Sequence, residues 1–122
     1  MHIHESSEDY LEAILRLRET KGQVRSVDIA QLLGVTKPSV SFAMKKLREN
    51  EYIHMAQDNL ITLTDKGEEI ATRIYDRHKT ISTFLMKLGV EEATAREDAC
   101  KIEHDLSEES FNALRRHLLK LD

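Results

Sequence analysis

Residues 26–50 read SVDIAQLLGVTKPSVSFAMKKLREN, and this stretch decides the fold. Ser26 is a residue type that caps helices, and Ile29 and Leu32 follow it at helical spacing. Gly34 follows, and glycine tolerates the left-handed conformation that often ends a helix. The stretch therefore predicts a short helix, a tight turn and a second helix, which is the order of a helix-turn-helix.

The second helix of this stretch has a clear start. Thr36 is the expected N-cap, and Pro38 falls in the first turn, where a missing amide hydrogen costs nothing. Four apolar side chains would pack the helix inward: Val40, Ala43, Met44 and Leu47. The opposite face is left to polar and basic residues.

After Asn50 the pattern changes from helical to β-like. Residues 52–55 and 60–63 are short runs rich in β-formers, and Gln57-Asp58-Asn59 between them is a turn signal. A hairpin directly after a helix-turn-helix is a wing, so the sequence predicts a winged helix-turn-helix.

Helices are predicted on both sides of this core. Upstream, Ser6 or Ser7 is expected to cap a helix that ends at Lys21-Gly22. Downstream, a long helix is expected from 64–68 to about Leu88, and another from 91 to 105. Ser107 is expected to cap a last helix, with an apolar stripe at Phe111, Leu114, Leu118 and Leu121.

The predicted fold class is therefore mainly α, with a winged helix-turn-helix domain followed by a helical domain. We place the winged helix-turn-helix domain at 1–65 and the helical domain at 66–122.

Composition narrows the class of protein. The chain has 122 residues, a net charge of −4 and one cysteine, Cys100, so no intramolecular disulfide forms. No apolar run is long enough to span a bilayer, and MHIHESSEDY lacks a secretory apolar region. We expect a cytoplasmic protein with no membrane partner.

The charge is unevenly spread. Residues 23–50 contain five basic and two acidic side chains, whereas the first 22 residues contain five acidic and three basic ones. A basic segment on a helix-turn-helix is typical of a DNA reader. Small polar residues at the start of the second helix would let its backbone approach the major groove, and basic ones would contact phosphates. The predicted DNA-binding residues are Arg25, Thr36, Lys37, Pro38, Ser39, Ser41, Phe42, Lys45 and Lys46.

Two other interpretations of this surface stay open. The Ser, Thr and Lys side chains are also compatible with an ordinary solvated surface, and some winged helices bind proteins. If the domain does read DNA, a monomer would bind weakly, so a symmetric homodimer on half-sites about one helical turn apart is expected.

Six residues form a candidate metal constellation. Asp9 and Glu12 are spaced i and i+3 on the first predicted helix, so their carboxylates share a face. On the fifth predicted helix a Cys, a Glu and a His have i, i+3, i+4 spacing. Each feature alone has an ordinary explanation, such as helix-dipole pairing, a core cysteine or a surface histidine. The six candidates are Asp9, Glu12, His78, Cys100, Glu103 and His104.

The ordered set of local motifs resembles the DtxR/MntR family of iron- and manganese-dependent transcriptional repressors. The resemblance covers essentially the whole chain. It is carried by Asp9-Tyr10-Leu11-Glu12, Thr36-Lys37-Pro38-Ser39-Val40-Ser41, Leu63-Thr64-Asp65-Lys66-Gly67, Arg77-His78 and Cys100-Lys101-Ile102-Glu103-His104-Asp105-Leu106-Ser107.

This resemblance implies a homodimeric repressor rather than an enzyme. Loaded with Fe(II) or Mn(II), it would bind double-stranded operator DNA and control metal-ion homeostasis genes, with no small-molecule substrate. It also implies that residues 66–122 bind metal and form the dimer, and that the six candidates are the ligands. The chain resembles the short, manganese-type members that lack an SH3-like domain.

The ligand set departs from either branch of the family. Asp9 stands where manganese regulators have Asp and iron regulators have Met, whereas Cys100 stands where iron regulators have Cys and manganese regulators have Glu. Since a thiolate favours softer metals, Fe(II) suits the set slightly better than Mn(II), and Zn(II) or Co(II) would bind in vitro. The resemblance allows one or two ions per subunit.

An ancillary site of the longer regulators is expected to be absent, because Ser82 and Arg96 stand where it needs Glu and His. Arg96 is expected to neutralise a nearby carboxylate instead. Oxidation of Cys100 would remove its ligand function. His2 and His4 are expected to belong to a disordered tail rather than to an N-terminal metal site.

Two rival functions are a winged-helix regulator that senses a non-metal ligand and a metal-dependent hydrolase. The hydrolase lacks a supporting His-Glu-x-x-His pattern or Gly-rich loop.

Overall fold

The computed structural model describes residues 5–120, except for the side chain of Glu5. The elements in chain order are α1 (Glu5–Lys21), α2 (Ser26–Leu33), α3 (Lys37–Glu49), β1 (Ile53–Met55), β2 (Ile61–Leu63), α4 (Asp65–Lys87), α5 (Glu92–Ile102) and α6 (Glu108–Leu118). The mainly helical class and the wing are thus confirmed. No helix in this part of the chain is both long and apolar enough to cross a bilayer.

The chain divides into two compact units, Met1–Arg73 and Ile74–Asp122. The first unit contains α1, α2, α3, the hairpin and the start of α4, and the second contains the rest of α4 with α5 and α6. The predicted boundary between 65 and 66 concerns functional domains rather than packing units, and it stays a prediction.

The helix-turn-helix forms as the sequence indicates. Gly34 ends α2 with φ +67°, and its N–H donates to Ala30 O at 2.9 Å. Thr36 caps α3, because its hydroxyl oxygen accepts a hydrogen bond from the N–H of Ser39. Val40 and Met44 are buried on the inner face of α3. The outer face is therefore free of a packing role.

The wing is a two-stranded antiparallel hairpin in which Ile53 pairs with Leu63. Asn59 adopts φ +65° in its turn, a conformation that Asn tolerates better than most residues. The N–H of Ile61 donates to Val24 O at 2.8 Å, so the hairpin is tied to the loop that precedes α2.

The start of α4 is anchored to the wing. The Thr64 N–H donates to Tyr52 O at 3.1 Å, and its hydroxyl donates to Glu51 O at 2.7 Å. The same hydroxyl oxygen accepts the N–H of Gly67 at 3.1 Å. Gly67 lies so close to Tyr52 O that a Cβ at this position would overlap the carbonyl. A residue without a side chain is therefore required here.

The second unit has a small apolar core of Ile81 from α4, Ala99 from α5 and Phe111 from α6. Leu85 and Leu106 pack against it. Ser107 caps α6, since its hydroxyl oxygen accepts the N–H of Ser110 at 3.0 Å, which confirms the predicted cap.

Three predicted helix ends were wrong. Helix α1 begins at Glu5, so Ser6 and Ser7 lie inside it. Arg25 is the N-cap of α2 rather than Ser26, and its N–H donates to the Asp28 carboxylate at 2.9 Å. Helix α5 ends at Ile102 rather than Asp105. The N–H of Asp105 bonds to Ile102 O, three residues back, which tightens the chain into a turn. Leu121 and the two N-terminal histidines fall outside the described residues.

We predict that Gly67→Ala lowers the free energy of unfolding by about 1–3 kcal/mol, because the new methyl group forces the hairpin backbone away from α4. Alanine at an unhindered helical position would instead stabilise by about 1 kcal/mol. Urea unfolding measures the difference, with exposed Thr72→Ala on the same helix as the control. A Gly67→Ala protein as stable as wild type would contradict the close approach.

Candidate metal centre and nucleic-acid interface

All nine residues that were predicted to bind DNA are exposed on the first unit. Phe42 is 63% exposed, which is unusual for a large aromatic side chain, and the Lys46 ammonium lies 4.7 Å from its ring centroid. The Thr36 hydroxyl also donates to Ser39 Oγ at 2.8 Å, so the start of α3 is held by its own side chains. The face is accessible and locally ordered, as a reading surface requires.

Arg25 connects the helix-turn-helix to the wing. Its Nε donates to Asp58 O in the hairpin turn at 3.4 Å. The guanidinium is otherwise on the surface, where a phosphate could approach it. Its assignment to DNA binding stays a prediction.

Two predicted metal ligands lie on α1 in the first unit. Glu12 is buried and Asp9 is half-buried, and both lie on the helix as their spacing predicts. The neighbouring Glu8 pairs with Arg73 of α4 at 2.9 Å. The first unit thus presents carboxylates on a helix that is fixed to the start of α4.

Three more predicted ligands come together in the second unit. His78 on α4, Cys100 on α5 and Glu103 just after α5 each offer an atom, and these atoms all lie within 4.8 Å of one another. The His78 Nδ1 is 3.1 Å from Glu103 Oε2 and 3.7 Å from Cys100 Sγ. His78 and Glu103 are buried, whereas Cys100 is exposed. The cluster is therefore open to solvent on its sulfur side.

The backbone after α5 explains why Cys100 and Glu103 still share a face. Glu103 is the C-cap, with helical φ −58° and ψ −25°, and its N–H donates to Ala99 O at 2.9 Å. The i, i+3 relation therefore survives one residue beyond the helix. His104, the sixth predicted ligand, lies in the turn with Nε2 3.6 Å from Glu103 Oε1.

The electrostatics of the cluster favour a positive charge. The Cys100 sulfur and then the Glu103 carboxylate raise the pKa of His78 from 6.5 to about 9, against the opposing effect of burial. Glu103 is fully buried, and within residues 5–120 its Oε1 accepts no hydrogen bond, while His104 Nε2 lies 3.6 Å from it. A buried carboxylate oxygen in this state is costly and suits a cation.

The donors fit a divalent transition metal. Imidazole nitrogen, thiolate and carboxylate are the ligand types of Zn(II), Fe(II) and Co(II) sites. Atoms that bind one such ion at 2.0–2.3 Å lie about 3–4 Å from each other, which matches the 3.1 Å and 3.7 Å separations here. The residues present therefore fit the metal that the family resemblance implies.

Sequence reasoning assigned no role to Arg77, the residue before His78. Its buried guanidinium donates to Glu103 O at 3.1 Å and to Leu106 O at 2.7 Å. An arginine next to a helical histidine carries no signal of such a contact, because both acceptors are backbone atoms 26 and 29 residues away.

The two positions at which the longer regulators have their ancillary-site Glu and His take other roles here. The buried Ser82 hydroxyl donates to His78 O at 2.7 Å within α4. Arg96 lies 3.8 Å from the Glu92 carboxylate on the surface, so its predicted pairing with an acidic residue is confirmed.

Comparison with known families accounts for nearly the whole chain. Residues 2–59 match the N-terminal DNA-binding domain of the iron-dependent repressors, and residues 64–122 match their metal-binding and dimerisation domain. The chain belongs to the iron-dependent repressor family. The members of this family are metal-dependent transcriptional regulators that bind DNA and are not enzymes, which confirms the predicted class and leaves the hydrolase and the non-metal sensor without support.

Individual proteins that are similar to this chain in sequence or structure are also named as regulators. The protein is 42% identical over 113 residues to an HTH-type transcriptional regulator of Methanocaldococcus jannaschii, covering 91% of this chain and 90% of the relative. It is 39% identical over 114 residues to the transcriptional regulator MntR of Escherichia coli O157:H7, and the match covers 93% of this chain and 74% of that MntR. The solved structure of the manganese regulator SloR superposes with a TM-score of 0.82 at 30% identity, covering 98% of this chain and 55% of SloR. The chain thus spans about half the length of that solved relative.

We predict that Glu103→Gln lowers the pKa of His78 in the metal-free protein toward 6.5, because a neutral amide no longer stabilises the imidazolium. Titration of the His78 ring signals by NMR measures this, with the exposed Glu97→Gln on α5 as control.

The same proton makes stability depend on pH. Since the folded pKa is raised, protonated His78 stabilises the fold fully below pH 6.5, and this contribution is lost as the pH rises through about 9. The loss should be smaller in Glu103→Gln. An unchanged His78 pKa in that variant would show that the carboxylate does not act on the ring.

Proposed function

We propose that the protein is a homodimeric repressor that binds double-stranded operator DNA when loaded with Fe(II) or Mn(II), and that it controls genes of metal-ion homeostasis in the cytoplasm. The observation that carries this proposal is the cluster of His78, Cys100 and Glu103 within the domain that matches the family's metal-binding domain. The exposed recognition helix supports the DNA-binding part.

The full ligand set of the proposal includes residues from both units. His78, Cys100 and Glu103 supply nitrogen, sulfur and oxygen from the second unit, with His104 beside them. Asp9 and Glu12 are proposed to complete the set from α1. Two carboxylates on α1 and that of Glu103 carry like charges, which a divalent cation offsets. One or two ions per subunit are compatible with six ligands.

The thiolate bears on the identity of the metal. Mn(II) prefers oxygen and imidazole ligands, whereas a thiolate favours Fe(II), Co(II) or Zn(II). The similarity to SloR, which is a manganese regulator, favours Mn(II). The exposed Cys100 thiol favours Fe(II). We therefore keep both as physiological candidates and expect Zn(II) and Co(II) to bind in vitro.

Ligands on two units provide a physical basis for regulation. When bound, the metal supplies an electrostatic tie between α1 and the second unit. Asp9 and Glu12 belong to the unit that reads DNA, so fixing them restricts the positions that the recognition helices adopt. Such a tie activates only if it favours the DNA-competent arrangement, and couplings of about 1–3 kcal/mol, or roughly 5–150-fold in affinity, are typical.

The proposed DNA contacts fall into two groups. Residues at the start of α3 face the groove, and Phe42 is proposed to contact a thymine methyl group. Lys45 and Lys46 lie further along α3 and Arg25 lies before α2, where phosphate contacts are expected. The base-reading group is Thr36, Lys37, Pro38, Ser39 and Ser41.

We predict that Asp9→Ala or His104→Ala removes metal-dependent DNA binding and leaves the dimer intact, because each removes one ligand without touching the reading surface. A duplex is first selected from a random pool by the Mn(II)-loaded protein, and its affinity is measured by fluorescence anisotropy in Mn(II) and in chelator. Exposed Glu19→Ala on α1 is the matched control. Equal affinity of the wild-type protein in metal and in chelator would refute the proposed function.

We predict that Cys100→Glu shifts activation toward Mn(II), since it replaces a soft ligand with the oxygen ligand that Mn(II) prefers. The ratio of the Mn(II) and Fe(II) concentrations that give half-maximal DNA binding, measured anaerobically, should fall about tenfold or more. If the ratio stays the same, the sulfur does not set metal preference.

A further inference from the structure

Arg77 is placed to control the geometry of the metal-ligand turn. It precedes His78 on α4, and its side chain is buried. One nitrogen, Nη1, donates to both Glu103 O and Leu106 O. The two acceptors bracket the turn that holds Glu103 and His104.

Backbone oxygens at the end of α5 lose their helical partners, and that of Glu103, the C-cap, lies at the negative end of the helix dipole, whereas that of Leu106 lies four residues beyond the helix. A guanidinium satisfies both of these oxygens and places a positive charge where it is favoured. Because both acceptors are backbone atoms, the contact fixes the path of the chain rather than the orientation of one side chain.

The guanidinium is itself held by an aromatic ring. Its central carbon lies 5.1 Å from the centroid of the buried Phe111 ring on α6. A second guanidinium, that of Arg115, lies 4.8 Å from the same centroid, but it pairs with Asp76 instead of the turn. A planar group stacked on a ring has fewer orientations than a lysine ammonium, so it fixes both hydrogen bonds at once.

We propose that Arg77 is a positioning residue for metal binding: through the Glu103 and Leu106 carbonyls it fixes the separation of the Glu103 carboxylate from the His78 imidazole. The inference rests on the proposed function, because it assigns a role toward that same site. His78 is adjacent to Arg77 on the same helix, so the Arg77 hydrogen bonds and the His78 imidazole keep a fixed relation to each other. Without the two Arg77 hydrogen bonds, Glu103 and His104 are no longer held in the geometry that the metal needs.

The test compares Arg77→Lys with Arg115→Lys. Both keep the positive charge, and both remove a guanidinium from the Phe111 ring, but only the first replaces the planar donor to the turn with an ammonium that is one bond closer to the backbone. Cobalt(II) chloride is titrated anaerobically into each protein, and the thiolate-to-cobalt absorption reports affinity and geometry. Loss of an outer-sphere hydrogen bond of this kind lowers metal affinity about 10–100-fold.

A metal-free measurement separates positioning from general stability. We expect faster hydrogen exchange of the amides of residues 104–107 in Arg77→Lys at equal distance below the melting temperature, and no such change in Arg115→Lys. The cobalt affinity of Arg115→Lys should stay within about threefold of wild type.

The outcomes are distinct. If wild type binds no cobalt, the proposed function fails. If wild type binds cobalt and Arg77→Lys has the same affinity and spectrum, the positioning role is wrong. It is also wrong if both variants lose affinity equally. Should Arg77→Lys not fold, Arg77→Gln is measured in its place, and failure of both to fold makes Arg77 a structural residue and overturns the proposal.

Discussion

The buried contact between the His78 imidazole and the Glu103 carboxylate is the interaction on which the metal-binding half depends. It joins α4 to the end of α5 at 3.1 Å and lies next to the Cys100 sulfur. In the metal-free protein a proton on His78 balances the carboxylate, as its pKa of about 9 indicates. A divalent cation held by the same carboxylate would balance its charge with the imidazole neutral, so a proton and a metal would compete for this site.

The geometry of this contact is imposed by the neighbouring backbone rather than by the two side chains themselves. The Glu103 N–H continues the helical pattern to Ala99 O, and its carbonyl accepts from Arg77. The peptide units on both sides of Glu103 are thus fixed. Metal selectivity in such a site depends on how far its ligands are free to adjust, so the backbone contacts belong to the chemistry of the site.

The DNA-binding half is organised by contacts between residues that are close in the sequence. Its turn depends on Gly34 in a left-handed conformation. Helix α3 begins where the Thr36 side chain accepts a hydrogen bond from the backbone N–H of Ser39. These are local interactions between residues a few positions apart. The reading face is exposed because the apolar side chains of α3 lie on the other side and are used for packing. The same sequence segment therefore builds the scaffold and presents the polar surface.

By itself the sequence determined the features that arise from local spacing. Helical periodicity, the Thr36 and Ser107 caps, the Gly34 turn and the hairpin around its turn signal were predicted correctly because each depends on neighbours in the chain. Family resemblance named the candidate metal ligands. Tertiary structure alone decided that α5 stops at Ile102, that Cys100 is exposed rather than in the core, and that Arg77 holds the turn after α5. Those facts depend on which distant backbone atoms meet in space, and side-chain type and spacing along the chain do not encode such meetings.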